Sequence, residues 1–136
     1  MIHEFDFTIY PRKLWITYDT TIQELTDIFP SGDTRDRPWE EIGPQHDAVV
    51  DAVEDKDHVG GYLIRFKNKD SIDFRNVSHE SCHVANWICD FIGYTPEMSN
   101  DEPYAYLVGF IAKCCEVVLK FKKDGDNSEG GHDNEK

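Results

Sequence analysis

The chain has 136 residues, 39% of them apolar, which is enough for one domain with a packed core and excludes wholesale disorder. Its formal net charge of −13 argues against nucleic-acid binding, which requires a basic surface. No apolar run approaches the roughly 18–20 residues that a membrane-spanning helix needs, so we expect contact with neither nucleic acid nor a membrane.

The first third of the chain predicts two strands and a short helix. Residues 4–10 (EFDFTIY) alternate between apolar and polar side chains, which is typical of a half-buried strand. A turn leads to a second short strand over 14–18. Thr20 or Thr21 can then cap a helix over 22–29, because a threonine hydroxyl accepts a hydrogen bond from a free amide of the first turn.

The middle of the chain predicts a long loop and a hairpin. Residues 31–46 are rich in Gly, Pro and charged side chains, and a loop of this length is often functional. Valines favour a strand over 47–53, and the YLIRF segment at 62–66 predicts a strong strand. We expect Gly60 and Gly61 to lie in the connection between these two strands.

Two longer helices complete the predicted fold. The first covers about 73–92 and ends at Gly93, and the second begins near residue 100 and carries an apolar stripe. Residues 123–136 are rich in Gly, Asp and Asn and predict a disordered acidic tail. A sheet followed by helices indicates a single α+β domain over 1–122.

The first of these helices carries the motif H-E-x-x-H, as HESCH. Residues four apart lie on one helix face, so His79 and His83 can both reach one Zn²⁺ ion at about 2.0–2.1 Å. Glu80 can stand beside the open coordination position and act as the general base that takes a proton from water. The simpler alternative is that the three side chains lie on a solvated helix surface and bind nothing.

A catalytic zinc ion needs a third protein ligand, and Glu102 is the best candidate. It lies 19 residues beyond His83, at the start of the second helix, after a loop long enough to fold that helix back. Asp101 is an alternative ligand, and Asp90 could orient an imidazole from outside the metal site. The simple alternative for Glu102 is an acidic residue favoured by the positive helix N-terminus.

The segments HESCH and DEPYAYLVGFIA resemble the active-site helix and the glutamate helix of gluzincin-type zinc metallopeptidases. The longer stretch NVSHESCHVANWIC…NDEPYAYLVGFIAKCC also resembles small bacteriophage and prophage proteins with a minimal zincin-like core, and the resemblance spans at most residues 60–121. It implies a mostly antiparallel sheet packed on the HExxH helix and on a second, glutamate-bearing helix. It also implies one zinc ion per chain, with His79, His83 and Glu102 as ligands and Glu80 as the general base.

Most gluzincins are larger than this chain and have a second subdomain that supplies a Tyr or His to stabilise the oxyanion. Tyr106, one turn beyond Glu102, is our choice for this role, although a tyrosine on such a helix is commonly a core residue. His46 and His58 could serve the same electrophilic role or simply be exposed. By the same resemblance, the 62–66 strand would be an edge strand that binds an extended peptide.

We therefore predict a zinc-dependent metallopeptidase that acts on a peptide or protein. The alternative is a non-catalytic metal-binding protein with a zincin-like fold that takes part in protein–protein interaction between phage and host. The chain start lacks the pattern of a signal peptide, so we expect the cytoplasm of a bacterium or of a phage-infected host cell. The four cysteines, which form no CxxC pair, are then expected to be reduced and mostly buried.

An acidic block covers residues 19–58, which contain 12 Asp and Glu residues but only 3 Lys and Arg residues. Such a block is usually a solvated surface that keeps the protein soluble. Less favoured interpretations are a docking face for a basic partner and a DNA-mimicking surface that blocks a nucleic-acid-binding partner. The substrate, the metal and the oligomeric state cannot be read from the sequence.

Overall fold

The computed structural model describes residues 1–33 and 37–122, which form a four-stranded mixed sheet with three helices. The predicted α+β class is therefore confirmed. The predicted tail, residues 123–136, lies outside the described residues, as do residues 34–36 of the predicted loop. In chain order the elements are β1 (Ile2–Asp6), β2 (Lys13–Tyr18), α1 (Ile22–Ile28), β3 (Ala48–Glu54), β4 (Gly60–Phe66), a short 3-10 helix (Lys69–Ser71), α2 (Phe74–Ile92) and α3 (Glu102–Lys120).

The sheet has the strand order β1-β2-β4-β3. β1 is antiparallel to β2 and β3 is antiparallel to β4, whereas the two central strands, β2 and β4, run parallel. A parallel pair needs a long crossover, and here α1 and β3 lie in the chain between the two strands. The expectation that the 62–66 strand lies at an edge is wrong, because β4 pairs with β2 on one side and with β3 on the other.

Two strand boundaries differ from the predicted ones. The predicted strand over 4–10 ends at Asp6, because Thr8 has a φ of 71° and leaves the extended region of the backbone. Gly60 and Gly61 lie inside β4 and pair with the neighbouring strands, so they are not part of the connection. Both differences depend on backbone geometry that the alternation of side chains does not reveal.

The two faces of the sheet are covered by different elements. Side chains alternate along a strand, so Leu14 and Ile16 point to the face covered by α2 and α3, whereas Trp15 points to the face covered by α1. The core on the α2–α3 side includes Leu14, Ile16, Ile64, Val84, Ile88, Ile111 and Val118. The core on the α1 side consists of Trp15, Leu25, Phe29, Val53 and Leu63.

Helix ends lie where the capping residues predict them. The Thr21 hydroxyl accepts a hydrogen bond from the Glu24 amide, and the Glu24 carboxylate accepts one from the Thr21 amide, which makes a capping box at the start of α1. The Asp73 carboxylate accepts a hydrogen bond of 2.8 Å from the Asn76 amide at the start of α2. Gly93, with a φ of 77°, ends that helix in the left-handed conformation.

The two long helices occupy different parts of the sheet. α2 contacts β3 and α3 contacts β2, so α2 lies toward the β3 edge. The helices face each other along one side of α2, where Phe74 and Val77 line a groove with Gly109 and Ala112 of α3. Of the helices in the described ranges, none is both long enough and apolar enough to cross a membrane.

Candidate metal centre

The two histidines of the HESCH motif lie on one exposed face of α2. Their Nε2 atoms are 3.1 Å apart, and their ring planes are inclined by 80°. Two imidazole nitrogens bound to one tetrahedral zinc ion, each at about 2.0–2.1 Å, would be separated by about 3.3 Å. His79 and His83 therefore present two nitrogen donors at a spacing that fits a single metal ion.

Glu80 lies on the same turn of α2 but is buried, with only 6% of its surface exposed. Burial raises the pKa of the Glu80 carboxyl, whereas the positive charges of His79, His83 and His46 lower this pKa. A buried carboxylate with a raised pKa, next to two potential metal ligands, is suited to accept a proton as a general base.

A network of hydrogen bonds fixes the start of α2 relative to β4. The Asn68 side chain accepts a hydrogen bond of 3.0 Å from the Ser71 amide and thereby caps the short 3-10 helix. The buried Asn76 side chain donates a hydrogen bond of 2.9 Å to the Ser71 carbonyl oxygen. Because α2 starts one residue after Asp73, this network sets the position of the motif that begins at His79.

The structure does not bring Glu102 to the histidine pair. Glu102 is the exposed first residue of α3, and it belongs to no group of three metal donors among the residues that the structure describes. At 3.6 residues per turn, Val77, which faces α3, lies about 160° around the helix from His79. The role of Glu102 as a third ligand stays a prediction from the sequence.

Tyr106 also lies away from the histidine pair. Its side chain is 77% exposed and lines a groove with Phe7 and Ile9, which belong to the segment between β1 and β2. Tyr104 is the tyrosine of α3 that reaches α2, where its hydroxyl lies 3.5 Å from the Cys82 carbonyl oxygen. The role of Tyr106 as an oxyanion stabiliser is a prediction to which this placement adds no support.

In residues 1–33 and 37–122, no group of three or more His, Cys, Asp or Glu side chains is arranged to hold a metal ion. Asp90 and Asp101, the alternative candidates, are exposed and belong to no such group. His58 lies in the connection between β3 and β4, where its Nδ1 atom is 3.3 Å from the Glu54 carboxylate. His79 and His83 are thus a pair of neighbouring donors to which the described residues add no third.

His46, which the sequence offers as an electrophile or as an exposed residue, is exposed and belongs to no group of three metal donors within the described ranges. It lies at the end of the 31–46 loop, directly before Asp47, whose carboxylate is 3.5 Å from the Arg75 guanidinium of α2. Arg75 precedes His79 by four residues, so the loop approaches α2 on the side of the histidine pair. In the sequence, His46 is only a histidine at the end of a long loop, and the sequence does not show where that loop packs.

The four cysteines are free, as predicted, and all but Cys82 are buried. Burial raises the pKa of Cys114 to about 11. Burial is also the main reason why the pKa of Cys115 is raised to about 12. A thiol with so high a pKa is almost wholly protonated at neutral pH and is a poor nucleophile and metal ligand. These two cysteines therefore belong to the packing of the helices.

A scan against protein-family models, a search of curated proteins and a search of solved structures found no match to this chain. A function must therefore be argued from the site itself. Its three central residues are His79, Glu80 and His83.

Proposed function

We propose that this protein binds a zinc ion through His79 and His83 and uses it to hydrolyse a peptide or protein, with Glu80 as the general base. The observation that carries the proposal is the 3.1 Å separation of the two Nε2 atoms on an exposed face of α2. At this distance one imidazole can donate a hydrogen bond to the other, but exposed imidazoles can bond to water instead, so a shared metal ion offers a further physical reason for this arrangement.

The chemistry divides between the metal and the protein. A bound zinc ion would act as a Lewis acid that polarises a carbonyl group and lowers the pKa of water. The two imidazoles would hold and orient the ion, and the Glu80 carboxylate would accept a proton and pass it to the leaving group. Burial, which raises the pKa of Glu80, makes this carboxylate a stronger base than a solvated one.

The position of β3 supports a zincin-like interpretation. The resemblance to gluzincins implies an edge strand beside the HExxH helix, where an extended peptide could add to the sheet. β3 is an edge strand, it is antiparallel to its neighbour β4, and α2 contacts it. We therefore propose that β3, rather than the 62–66 strand, is the edge that meets the peptide.

The proposal predicts about one zinc ion per chain, because His79 and His83 belong to a single site. Elemental mass spectrometry on protein purified without a His-tag or chelators measures the zinc content. We expect His83→Ala to lose the zinc, and His58→Ala, which removes an exposed histidine elsewhere, to keep it. A wild-type protein that holds no zinc even after zinc is added back would contradict the proposal.

A further inference from the structure

The outer face of α3 and its two borders carry six exposed apolar side chains. Their exposed fractions run from 38% for Phe110 to 95% for Phe74. Removing such side chains from water is favourable, so an apolar surface of this size on a folded chain marks contact with another molecule. The six residues are Ile9, Phe74, Tyr106, Phe110, Val117 and Phe121.

Four of these side chains form a stripe along α3. Tyr106, Phe110 and Val117 are separated by four and seven residues, so they lie within about 40° of one another around the helix. Phe121, directly after the helix, continues the stripe by one more turn. The charged Lys113 lies beside the stripe, between Phe110 and Val117.

The other two side chains flank the stripe on opposite sides. Phe74, the first residue of α2, lines a groove with Gly109 and Lys113 of α3. Ile9, between β1 and β2, lines a second groove with Tyr106 and Phe110. The stripe and its two flanks therefore form one continuous surface, which we call the α3 surface.

We propose that the α3 surface is the interface of a symmetric dimer, in which α3 packs antiparallel against α3 of a second copy. At about 200 Å² for a fully exposed aromatic side chain, the six exposed fractions amount to roughly 600–700 Å² of apolar surface per copy. A stable interface of standard size buries about 800 Å² per partner. The apolar surface therefore supplies most of the area that a dimer needs, and its charged border can supply the rest.

The charges on α3 are complementary to those on a second, antiparallel α3. With the two-fold axis between positions 113 and 114, Phe110 lies opposite Val117 of the partner subunit. Lys113 then lies within about 3 Å, measured along the helix axis, of Glu116 of the partner subunit. The ion pair of 3.1 Å that Lys113 and Glu116 make within each helix would thus be joined by two pairs across the interface.

The distribution of charge and of apolar residues favours a second copy over other occupants. α3 contains two Lys and two Glu residues, so two chains of net charge −13 repel each other less at this helix than at the acidic block. A basic partner would be attracted to the acidic block at 19–58 instead. Residues 123–136 contain no aliphatic side chain, and His132 is their only ring, so this segment cannot cover an apolar stripe.

Sedimentation velocity of the full chain, over a series of concentrations, tests the dimer and measures its dissociation constant. We expect the wild type to reach twice the chain mass. Phe74→Glu and Val117→Glu each place a charge in the interface and should raise the dissociation constant by about 30-fold or more, the effect of losing one strongly contributing interface residue. An acidic residue also suits the first turn of α2, so Phe74→Glu should leave the fold intact.

Ile28→Glu is the matched control, because it makes the same change at an exposed apolar residue of α1, on the opposite face of the sheet. It should keep the dissociation constant of the wild type, and circular dichroism of each variant checks the fold. A wild type that stays monomeric at the highest concentration would overturn the proposal. So would a dimer that Phe74→Glu and Val117→Glu leave unchanged, because it would use another surface.

Mixing two charge variants tests the antiparallel arrangement. Lys113→Glu and Glu116→Lys each bring like charges together across the two-fold axis, so each variant alone should dimerise more weakly than the wild type. In a mixture, Glu at position 113 of one chain meets Lys at position 116 of the other, and we expect the mixed dimer to be tighter than either variant alone. A mixture that associates no better than its components would show that the two α3 helices do not pack in this way.

Discussion

Glu80 differs from the two histidines beside it in its burial, and this difference bears on catalysis. The histidines are exposed, whereas 6% of the Glu80 surface is exposed. Burying a carboxyl group costs free energy, and a site that only binds a metal does not need a carboxylate beside it. The burial of Glu80 therefore favours the hydrolase over the non-catalytic metal-binding protein that the motif also allows.

Replacement of Glu80 tests this distinction. We expect Glu80→Gln to keep the zinc content of the wild type, because the ligands are unchanged, and to lower the hydrolysis of fluorescein-labelled casein by about 10²–10⁴-fold, the usual contribution of a general base. Glu97→Gln, which changes an exposed glutamate outside the helices, is the matched control and should keep full activity. A Glu80→Gln enzyme with full zinc content and full activity would exclude the proposed mechanism.

At the level of single elements, the sequence predicts what depends on near neighbours. The boundaries of α2 follow from Asp73 and Gly93, and the start of α1 follows from the pair Thr21 and Glu24, because a cap acts within one helical turn. The central position of β4 could not be predicted, because its pairing with β2 joins segments separated by α1 and β3. No local pattern specifies such a partner.

The close pairing of β2 and β4 leaves no room for a side chain at Gly61. This residue pairs with Lys13 in the parallel register, and a Cβ atom there would overlap the Lys13 backbone. We expect Gly61→Ala to lower the free energy of unfolding by about 1–3 kcal/mol, as overpacking does. Gly109 in α3 has open space around it, so Gly109→Ala should raise the same free energy by about 0.5–1 kcal/mol through helix propensity. Urea unfolding of both variants measures these shifts, and equal effects would contradict the close approach at Gly61.

Across the whole molecule, the candidate site again has one part that depends on residues close in sequence and one part that depends on residues from distant elements. His79 and His83 come together because they are four residues apart on one helix, which the motif alone predicts. A third ligand must come from another element, and its choice depends on which side of α2 each neighbour packs. Spacing along the chain favours Glu102, whereas the described part of the chain brings no third donor to the pair.

The 31–46 loop, which ends at His46, contacts the α1 side of the sheet through Arg65 of β4. The Arg65 guanidinium donates hydrogen bonds of 2.8 Å to the Asp51 carboxylate and of 2.9 Å to the Glu40 carbonyl oxygen, and it stacks over the Trp39 ring. Burial raises the pKa of Asp51, the Arg65 charge lowers it, and the neighbouring Asp33 carboxyl raises it again. Arg65 therefore offsets part of the free-energy cost of a buried carboxylate.

Removal of Arg65 should thus destabilise the protein in a pH-dependent way. Arg65→Met leaves the buried Asp51 carboxylate unpaired, which typically costs about 3–5 kcal/mol at pH 7. Because the pKa of Asp51 is then raised further in the folded protein, the folded chain takes up a proton at a higher pH than the unfolded chain. Protonation of Asp51 therefore stabilises the folded variant. This contribution is fully present below the unfolded pKa of about 3.9, and it is lost as the pH rises through the pKa of Asp51 in the folded protein.

We therefore expect Arg65→Met to lower the free energy of unfolding, measured in urea, by less at pH 4.5 than at pH 7. Asp51→Asn in the same chain should recover much of this deficit at pH 7. Arg75→Met is the matched control, because its ion pair with Asp47 is solvent-exposed and contributes no more than about 1 kcal/mol. A deficit of Arg65→Met that is equal at both pH values would mean that Arg65 stabilises the loop through Glu40 and Trp39 alone and that its charge does not matter.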